Sequence, residues 1–575
     1  MKKYFLLYSL VLCCMLAASS SAQTKTVQAE ALDASRRVAD KLIRDTRFSL
    51  TLVPQKEELG MQVVDFREMI RGTDQTAYAL RSCVASKDTM VRFGVSHGAS
   101  VTIWVNGRQV YCATEHTLKT PKEEAYNRFT FQHYFSAVFT KGVNEISIRY
   151  RSGNTQPVVF IRAQLPVGDL DNALRFDNLP AKQWLLLGPF GKNDTALLKQ
   201  QTIQSYYTVG RKQYNWQSQP QRMLPDLLID STLTYQRDPY LDWNYSNGNT
   251  VWSTLQLTEA TGNKIYKDYV DRYTGYMMDH MAYFRKQYDS LFEFRGSFHR
   301  FFRMSMLDDA GSAVLPYIDL YRINHNESIR KQILEPVADY ILHRQVRLGD
   351  GTFCRPEPVT FTVWCDDLFM SVPFLLRWAE ITHDKNYYDE SVRQFRGFRK
   401  HLLDTDTKLF YHGWFSNTQK NSPVHWGRAN GWIAWATMEL LEHLPKTHEG
   451  YSEILASFKE QMMVLKGYQE KNGMWHQVLD RPASFEETSC TAMFTMAMAK
   501  GVRMGWLDNS YRDHAIRGWQ AVQKKIEKDG TVHDICRGTE IGFDESFYFE
   551  RKRFDQDPRG LGAVIAAGTE VSKMK

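Results

Sequence analysis

The sequence predicts a multidomain chain in which an N-terminal antiparallel β-sandwich precedes an all-α (α/α)6 toroid. Three observations carry this. Period-two alternation of apolar residues runs through the first third, helical periodicity recurs from about residue 240 to the end, and 575 residues exceed one compact domain. Composition is ordinary for a globular protein, with 43% hydrophobic and 24% charged residues, although aromatics reach 13%. Aromatic faces suit the apolar C–H faces of sugars, and they equally suit a large helical core.

Residues 1–22 read as a secretory signal peptide. Met1-Lys2-Lys3 is a short basic head, Tyr4 to Ala18 is apolar apart from Ser9, and small residues surround a cleavage site near Ala22. The expected location is therefore outside the cytoplasm, periplasmic or secreted. Neither Cys13 nor Cys14 follows a small residue, which argues against a lipoprotein. No later stretch is long and apolar enough to span a bilayer. Net charge is +7, about +5 without the leader's two lysines, and no basic block or stripe suggests nucleic acid. Cys83, Cys112, Cys354, Cys365, Cys490 and Cys536 are scattered without metal-like spacing, leaving both free thiols and one or two disulfides open.

Residues 23–170 read as the β-sandwich. Met90–Val95 is one strand; Val101–Val105 alternates and turns through Asn106-Gly107 into Gln109–Tyr111; Glu145–Tyr150 follows the turn at Lys141–Asn144. Residues 171–235 lack clean periodicity apart from the strand-like Leu185–Phe190 and read as a connector. From 236 to 575, amphipathic stretches open near Thr250, Lys264, Asp309, Ser328, Asp367, Tyr387, Asn430, Tyr451, Cys490, Asn509 and Gly560. That is about eleven, against the twelve of six helical hairpins. Those near Asp309, Asp367, Asn430 and Cys490 follow polar and aromatic clusters, while those between are plainer, as expected of an inner ring lining a cleft and an outer ring facing water.

Four clusters precede the inner helices: Met306–Ser312; Val363–Met370; Tyr411–Trp414 with His425–Trp432; and Gly473–Val478 with Glu486–Ser489. Each has a plain structural explanation. An Asp at a helix start usually caps it, loop Trp and His usually pack, and a lone Arg is usually solvated. Such explanations do not account for recurrence at one end of successive helices. A cavity there would offer carboxylates for proton transfer, indoles for sugar faces and Arg for an anionic substrate.

These motifs resemble glycoside hydrolase family 105, the unsaturated rhamnogalacturonyl hydrolases, and the related unsaturated glucuronyl hydrolases of family 88. The resemblance lies in W-x-D-x-L-x-M at Trp364–Met370, H-G-W at His412–Trp414, W-x-R-x-N-G-W at Trp426–Trp432, the run from Gly473 to Phe494, and Trp243–Val270. It covers roughly 330 residues and excludes the first 235. The β-rich pairing "VTIWVNGRQV … KGVNEISIRY" loosely resembles the jelly-roll modules attached to many glycosidases, and a structural spacer is its expected role.

The resemblance implies removal of the terminal 4,5-unsaturated uronic acid from lyase-generated oligosaccharides by hydration of the C4=C5 bond. Asp366 is implied as acid/base with a raised pKa, and Asp308 or Asp309 as the second carboxylate that holds sugar hydroxyls. His412 and Arg428 are implied for ring hydroxyls and the uronate, and Trp364, Trp426 and Trp432 as walls. No cofactor or metal is expected. Substrates consistent with this chemistry include rhamnogalacturonan, ulvan, arabinogalactan and glycosaminoglycan fragments. A conventional inverting glycosidase pairing Asp366 with Glu486 or Glu487, a lyase on the same toroid, and a non-catalytic sugar-binding protein are the competing readings.

Overall fold

The computed structural model describes residues 26–54, 61–117, 131, 133–164, 174–175, 183–192, 206–220, 223–228, 240–291 and 297–574. The leader, its cleavage site and much of the connector lie outside the described residues. The chain divides into two compact units, one of residues 52–225 and 292–295, the other of 1–51, 226–291 and 296–575.

The strand-rich unit is built from two antiparallel sheets. The larger runs, in spatial order, through Gln217–Ser218, Leu185–Phe190, Thr76–Ala85, Gly142–Arg151, Ser100–Val105 and Arg108–Ala113; the smaller through Met61–Asp65, Val158–Ala163, Thr89–His97 and His133–Phe139. Inward residues of both, among them Cys83, Ile103 and Ile148 from one and Val91, Phe93 and Ile161 from the other, form one core. The Asn-Gly hairpin forms as expected: Val105 pairs with Arg108, and both loop residues take positive φ, 49° at Asn106 and 75° at Gly107.

The other unit is helical. Residues 26–45 form α1. Then come α2 (Tyr245–Thr261), α3 (Ile265–Leu291), α4 (Leu315–Asn324), α5 (a run of short helical pieces over 327–344), α6 (Val372–Thr382), α7 (Asn386–Leu402), α8 (Gly427–His443), α9 (Tyr451–Gly467), α10 (Thr488–Arg503), α11 (Arg512–Gln523) and α12 (Pro558–Ser572). Helix α2 packs on α4, α4 on α6, α6 on α8, α8 on α10, α10 on α12, and α12 back on α2, closing a ring. Burial follows position. In α8 every residue from Gly427 to Leu441 is buried, whereas α9 buries only one face, Ile454, Phe458, Met462 and Leu465 at helical spacing.

The β-rich reading from residue 23 fails for α1, which packs on α12. Ser35 Oγ donates to the Ile565 carbonyl at 3.1 Å, and a Cβ on Gly568 would lie 2.1 Å from that same oxygen. Val27, Ala31, Ala34, Val38 and Leu42, spaced by three or four, join the helical core. The strand-rich unit is thus inserted after the toroid's first helix, and a fragment beginning at residue 236 would lack α1.

A buried polar belt ties the inner helices farther along their length. Trp252 Nε1 donates to Asp319 at 2.7 Å, and Arg377 donates to Asp319 at 2.9 Å and to Glu439 at 2.8 Å. Lys500 pairs with Glu442, and Arg503 with Glu570. Buried pairs of this kind add little net stability but are costly to break, so they favour one register between helices.

Leu42→Ala is expected to cost about 2–5 kcal/mol in the unfolding transition of the helical unit, because it opens a cavity between α1 and the ring. Chemical denaturation followed by far-ultraviolet circular dichroism measures this. An unchanged midpoint would mean that α1 is not part of the helical core.

Candidate active site

The first turns of the inner helices and the segments just ahead of them carry the chemistry-bearing side chains. Asn244 caps α2, its side chain accepting from Ser246 N–H, and presents Tyr245 in the first turn. Glu487 caps α10 and Asp557 caps α12 in the same manner. Tyr245 is half-buried, and the charges of Arg559, Asp308, Arg428 and Asp366 all act on its phenol, whose pKa burial pushes up to about 12. Four separated segments therefore meet around this tyrosine.

Asp366 opens the short helix Asp366–Phe369 ahead of α6, and Cys365, at the capping position, makes no side-chain cap bond. The carboxyl is close to His412: Asp366 Oδ2 lies 3.4 Å from Nε2, and neither atom has a well-formed hydrogen bond among the described residues. Trp364 and Trp426 flank His412, with ring centroids 5.7 and 4.5 Å away. Burial pushes the Asp366 carboxyl up, but His412 and the guanidiniums of Arg355 and Arg428 outweigh burial and hold it below the ordinary carboxylate value. The raised pKa expected of this residue is therefore not a property of the free site. Burial pushes the pKa of His412 down, while Asp366 beside it pulls the other way.

The two adjacent carboxyls in the second motif have separate environments. Asp367 takes a two-pronged bond from Arg355, Nε to Oδ2 at 2.9 Å and Nη2 to Oδ1 at 2.8 Å. Its burial, with Asp308 and Asp366 nearby, pushes its pKa up to about 7. Arg355 also donates to both oxygens of Asp308, at 3.1 and 3.0 Å, while its guanidinium carbon lies 3.9 Å from the Trp364 ring centroid. One arginine thus ties the loop before α4 to the loop before α6. Gly311 makes the same junction possible, since a Cβ there would sit 1.4 Å from the Met370 carbonyl oxygen.

Asp308 and Asp309 are also distinguished. The Asp308 side chain remains 17% exposed, whereas Asp309 is fully enclosed. Arg303 donates to both oxygens of Asp309 at 2.7 and 2.8 Å, and Ser305 N–H adds a bond at 3.0 Å. Burial pushes the Asp309 carboxyl up, but Arg303, Arg300 and Ser305 bring it below the ordinary value. Asp309 is committed to holding its loop, and of the two only Asp308 keeps some exposure.

Arg428 differs from expectation. Its Nη1 donates to the Cys536 carbonyl at 2.6 Å and its Nη2 to the Arg537 carbonyl at 2.8 Å, so the fork that was to clamp a uronate already holds the 536–537 segment. Its positive charge still reaches Asp366. Trp432, only 1% exposed, is stacked on Phe369 at 4.9 Å and is a core residue rather than a wall. Trp364 and Trp426 are also largely covered, though Trp426 Nε1 is buried without a partner among the described residues. Glu487 accepts from the backbone N–H groups of Ser489, Cys490 and Cys536, while Glu486 accepts from Asn472. All six described cysteines are free thiols. Sequence reasoning missed Arg355, which lies outside the motifs, and Tyr548, whose hydroxyl sits 2.9 Å from His412 Nδ1. It also missed Tyr245, although Tyr245 lies inside the Trp243–Val270 stretch.

The family model described as Glycosyl Hydrolase Family 88 matches residues 228–575. The unsaturated rhamnogalacturonyl hydrolase YesR of Bacillus subtilis is 30% identical over 215 residues, 36% of this chain and 60% of that protein. An unsaturated 3S-rhamnoglycuronyl hydrolase of Formosa agariphila is 28% identical over 261 residues, 42% of this chain and 67% of its own. The chain spans half to two thirds of the length of these curated relatives and of a third, from Alteromonas, of which it covers 50%. Among solved structures, a Salmonella enterica protein described as a possible member of family 105 superposes with a TM-score of 0.51 at 21% identity, covering 60% of this chain and 86% of that one. A family 105 glycoside hydrolase of C. acetobutylicum gives 0.50 at 23%, covering 57% and 94%. At such identities the likeness concerns the fold.

Asp309→Asn should cost about 3–5 kcal/mol, because it leaves the buried Arg303 charge without its counter-ion. Asp308→Asn should cost less, because Arg355 keeps Asp367 as its counter-ion. The folded pKa of Asp309 is depressed, so its contribution is present above the unfolded value of about 4 and is lost as pH falls through the lower folded value. Thermal melts of both variants between pH 3 and 8 check this. Equal losses from the two variants would contradict the division of labour.

Proposed function

The chain belongs to glycosyl hydrolase family 88, and from that premise we propose that it removes the terminal 4,5-unsaturated uronic acid from lyase-generated oligosaccharides by hydrating the C4=C5 bond. The observation that carries this reading is the Asp366 carboxyl, which caps no helix and faces His412 at 3.4 Å beside Trp364 and Trp426. We also propose that the closed ring is the inner layer of an (α/α)6 toroid, with α1 as outer partner of α12. The strand-rich unit is proposed to be a jelly-roll-like spacer. Export, through a leader over residues 1–22, is part of the same proposal; among the described residues no helix is long and apolar enough to cross a membrane.

In this mechanism Asp366 delivers a proton to C4. Positive charge develops at C5 and is shared with the ring oxygen; water adds at C5 and gives its proton to Asp366. The hemiketal then opens to the C5 ketone, and the hemiacetal at C1 releases the aglycone. The low pKa of Asp366 in the free site is compatible with this role, because the bound uronate brings a like charge into a buried space and raises it. Asp308, held in place by Arg355, and the open phenol of Tyr245 are assigned to sugar hydroxyls. Arg428 contributes charge and orders the 536–537 segment. A conventional inverting mechanism would need Glu486 or Glu487 opposite Asp366. The commitment of Glu487 to three backbone N–H groups weighs against that pairing.

Asp366→Asn keeps the shape of the side chain and is expected to lose about a hundred- to ten-thousand-fold in kcat, as removal of a general acid does. The assay follows the C4=C5 absorbance of lyase-generated rhamnogalacturonan, ulvan and glycosaminoglycan fragments, with melting temperatures measured in parallel. Near-normal turnover by a folded Asp366→Asn enzyme would exclude the assigned role. Absorbance that rises on a saturated polymer would instead identify a lyase.

A further inference from the structure

Tyr548 lies about 120 residues from the nearest sequence motif that builds the wall around Asp366, yet its hydroxyl is buried against His412. We propose that Tyr548 is a positioning residue: by donating its hydroxyl proton to Nδ1 of His412, it fixes the Nε2–H tautomer and aims that proton at Asp366. This rests on the reading of Asp366 as the acid/base.

Tyr548 is fully buried and sits on the short helix Glu545–Phe549, which Asp544 caps through Phe547 N–H. Its own carbonyl accepts from Gln477 Nε2 at 2.8 Å, which anchors the helix to the strand-like stretch before α10. The phenolic oxygen has three close partners: Gly542 N–H at 3.0 Å, His412 Nδ1 at 2.9 Å and the Ser422 hydroxyl. A backbone N–H can only donate, and Ser422, whose oxygen already accepts from Gly413 N–H at 3.1 Å, acts on the phenol as a donor, so the phenol accepts from both and has its single proton for Nδ1. Burial raises the phenol pKa, which keeps that proton in place.

The histidine end gives the same answer independently. A neutral imidazole carries one N–H, and Nε2 faces the Asp366 carboxyl at 3.4 Å. A proton on Nδ1 would turn the Nε2 lone pair toward that carboxylate. The remaining surroundings of His412 do not choose between tautomers. The Trp426 and Trp364 rings cover it, and Arg355 and Arg428 act on it only through charge. Asp366 in turn faces His412, Arg355 and Arg428, and has Asp367 and Tyr245 nearby. Tyr548 is therefore the contact that selects the tautomer. Catalytic hydrogen bonds are often long in free enzymes and shorten in the substrate complex, as the 3.4 Å approach does in this proposal.

Removing the hydroxyl frees His412 to take either tautomer and weakens stabilisation of the Asp366 carboxylate. The folded pKa of Asp366 then rises. Since the acid must be protonated to react, the limb of kcat/KM that falls with increasing pH moves upward.

The experiment labels the full-length protein with ring-15N histidine and reads tautomers from two-bond 1H–15N correlations, with the His412 signals assigned by their loss in His412→Gln. Wild type should show His412 as the Nε2–H tautomer from pH 6 to 8; an Nδ1–H tautomer or an imidazolium would overturn the proposal. In Tyr548→Phe the signals should shift toward a mixture. Its kcat should fall about tenfold or more with little change in KM, and its descending pH limb should rise by about half a unit or more. A folded Tyr548→Phe protein with the wild-type tautomer and pH limb would also overturn it. If that variant does not fold, the wild-type tautomer decides. Wild type that leaves every unsaturated oligosaccharide intact would refute the hydrolase reading, and the tautomer would still decide the contact.

Discussion

Six helices can share one wall only if each is apolar on nearly every side and its neighbours approach closely. That constraint organises the helical unit. Helix α8 is buried from Gly427 to Leu441, and α10 and α12 nearly throughout. Where side chains would keep backbones apart, glycine removes them, at Gly311 against Met370 and at Gly568 against Ser35. In the (α/α)6 arrangement proposed above, a returning outer helix between successive inner ones gives the inner helices the same sense. Their first turns therefore gather at one end of the ring, and the belt from Trp252 through Asp319, Arg377 and Glu439 lies farther along the same helices. Closure depends on α12 meeting α2, and α1 covers α12.

Charge is arranged with similar economy around the gathered first turns. Arg355 serves both Asp308 and Asp367, which neutralises two carboxyls with one guanidinium and locks two loops together. Asp309 is neutralised separately by Arg303. Asp366 is left with the weakest direct partner, the His412 imidazole at 3.4 Å. Of four neighbouring aspartates, the one with least structural commitment is the one proposed for proton transfer. This distribution, more than any single pKa, distinguishes a reactive carboxyl from a structural one.

Much of this was legible in the sequence where the physical signal is local. Helical periodicity located eight of the eleven later helix starts to within three residues and those of α2, α4 and α6 to within six, and Asn106-Gly107 announced its hairpin through positive φ. Helix α1 was equally periodic, with Val27, Ala31, Ala34, Val38 and Leu42 on one face, but it was absorbed into the β-rich segment that follows it. The four clusters were correctly gathered at inner-helix starts. What the sequence could not decide was commitment. Asp308 and Asp309 are neighbours, and only the position of Arg303 separates them. Arg428 is anchored by carbonyls about 110 residues away, and Arg355 and Tyr548 reach the site through tertiary contacts that no spacing rule encodes.

The central claim is that Asp366 protonates C4 of an unsaturated uronyl group and leaves the anomeric bond to break afterwards. The most direct measurement is turnover in heavy water with mass and NMR analysis of the released monosaccharide. The account predicts one solvent deuteron at C4 and loss of the C4=C5 bond in step with release of the aglycone. A released sugar that retains the double bond, with no deuteron at C4, would contradict it and return the site to conventional attack at C1.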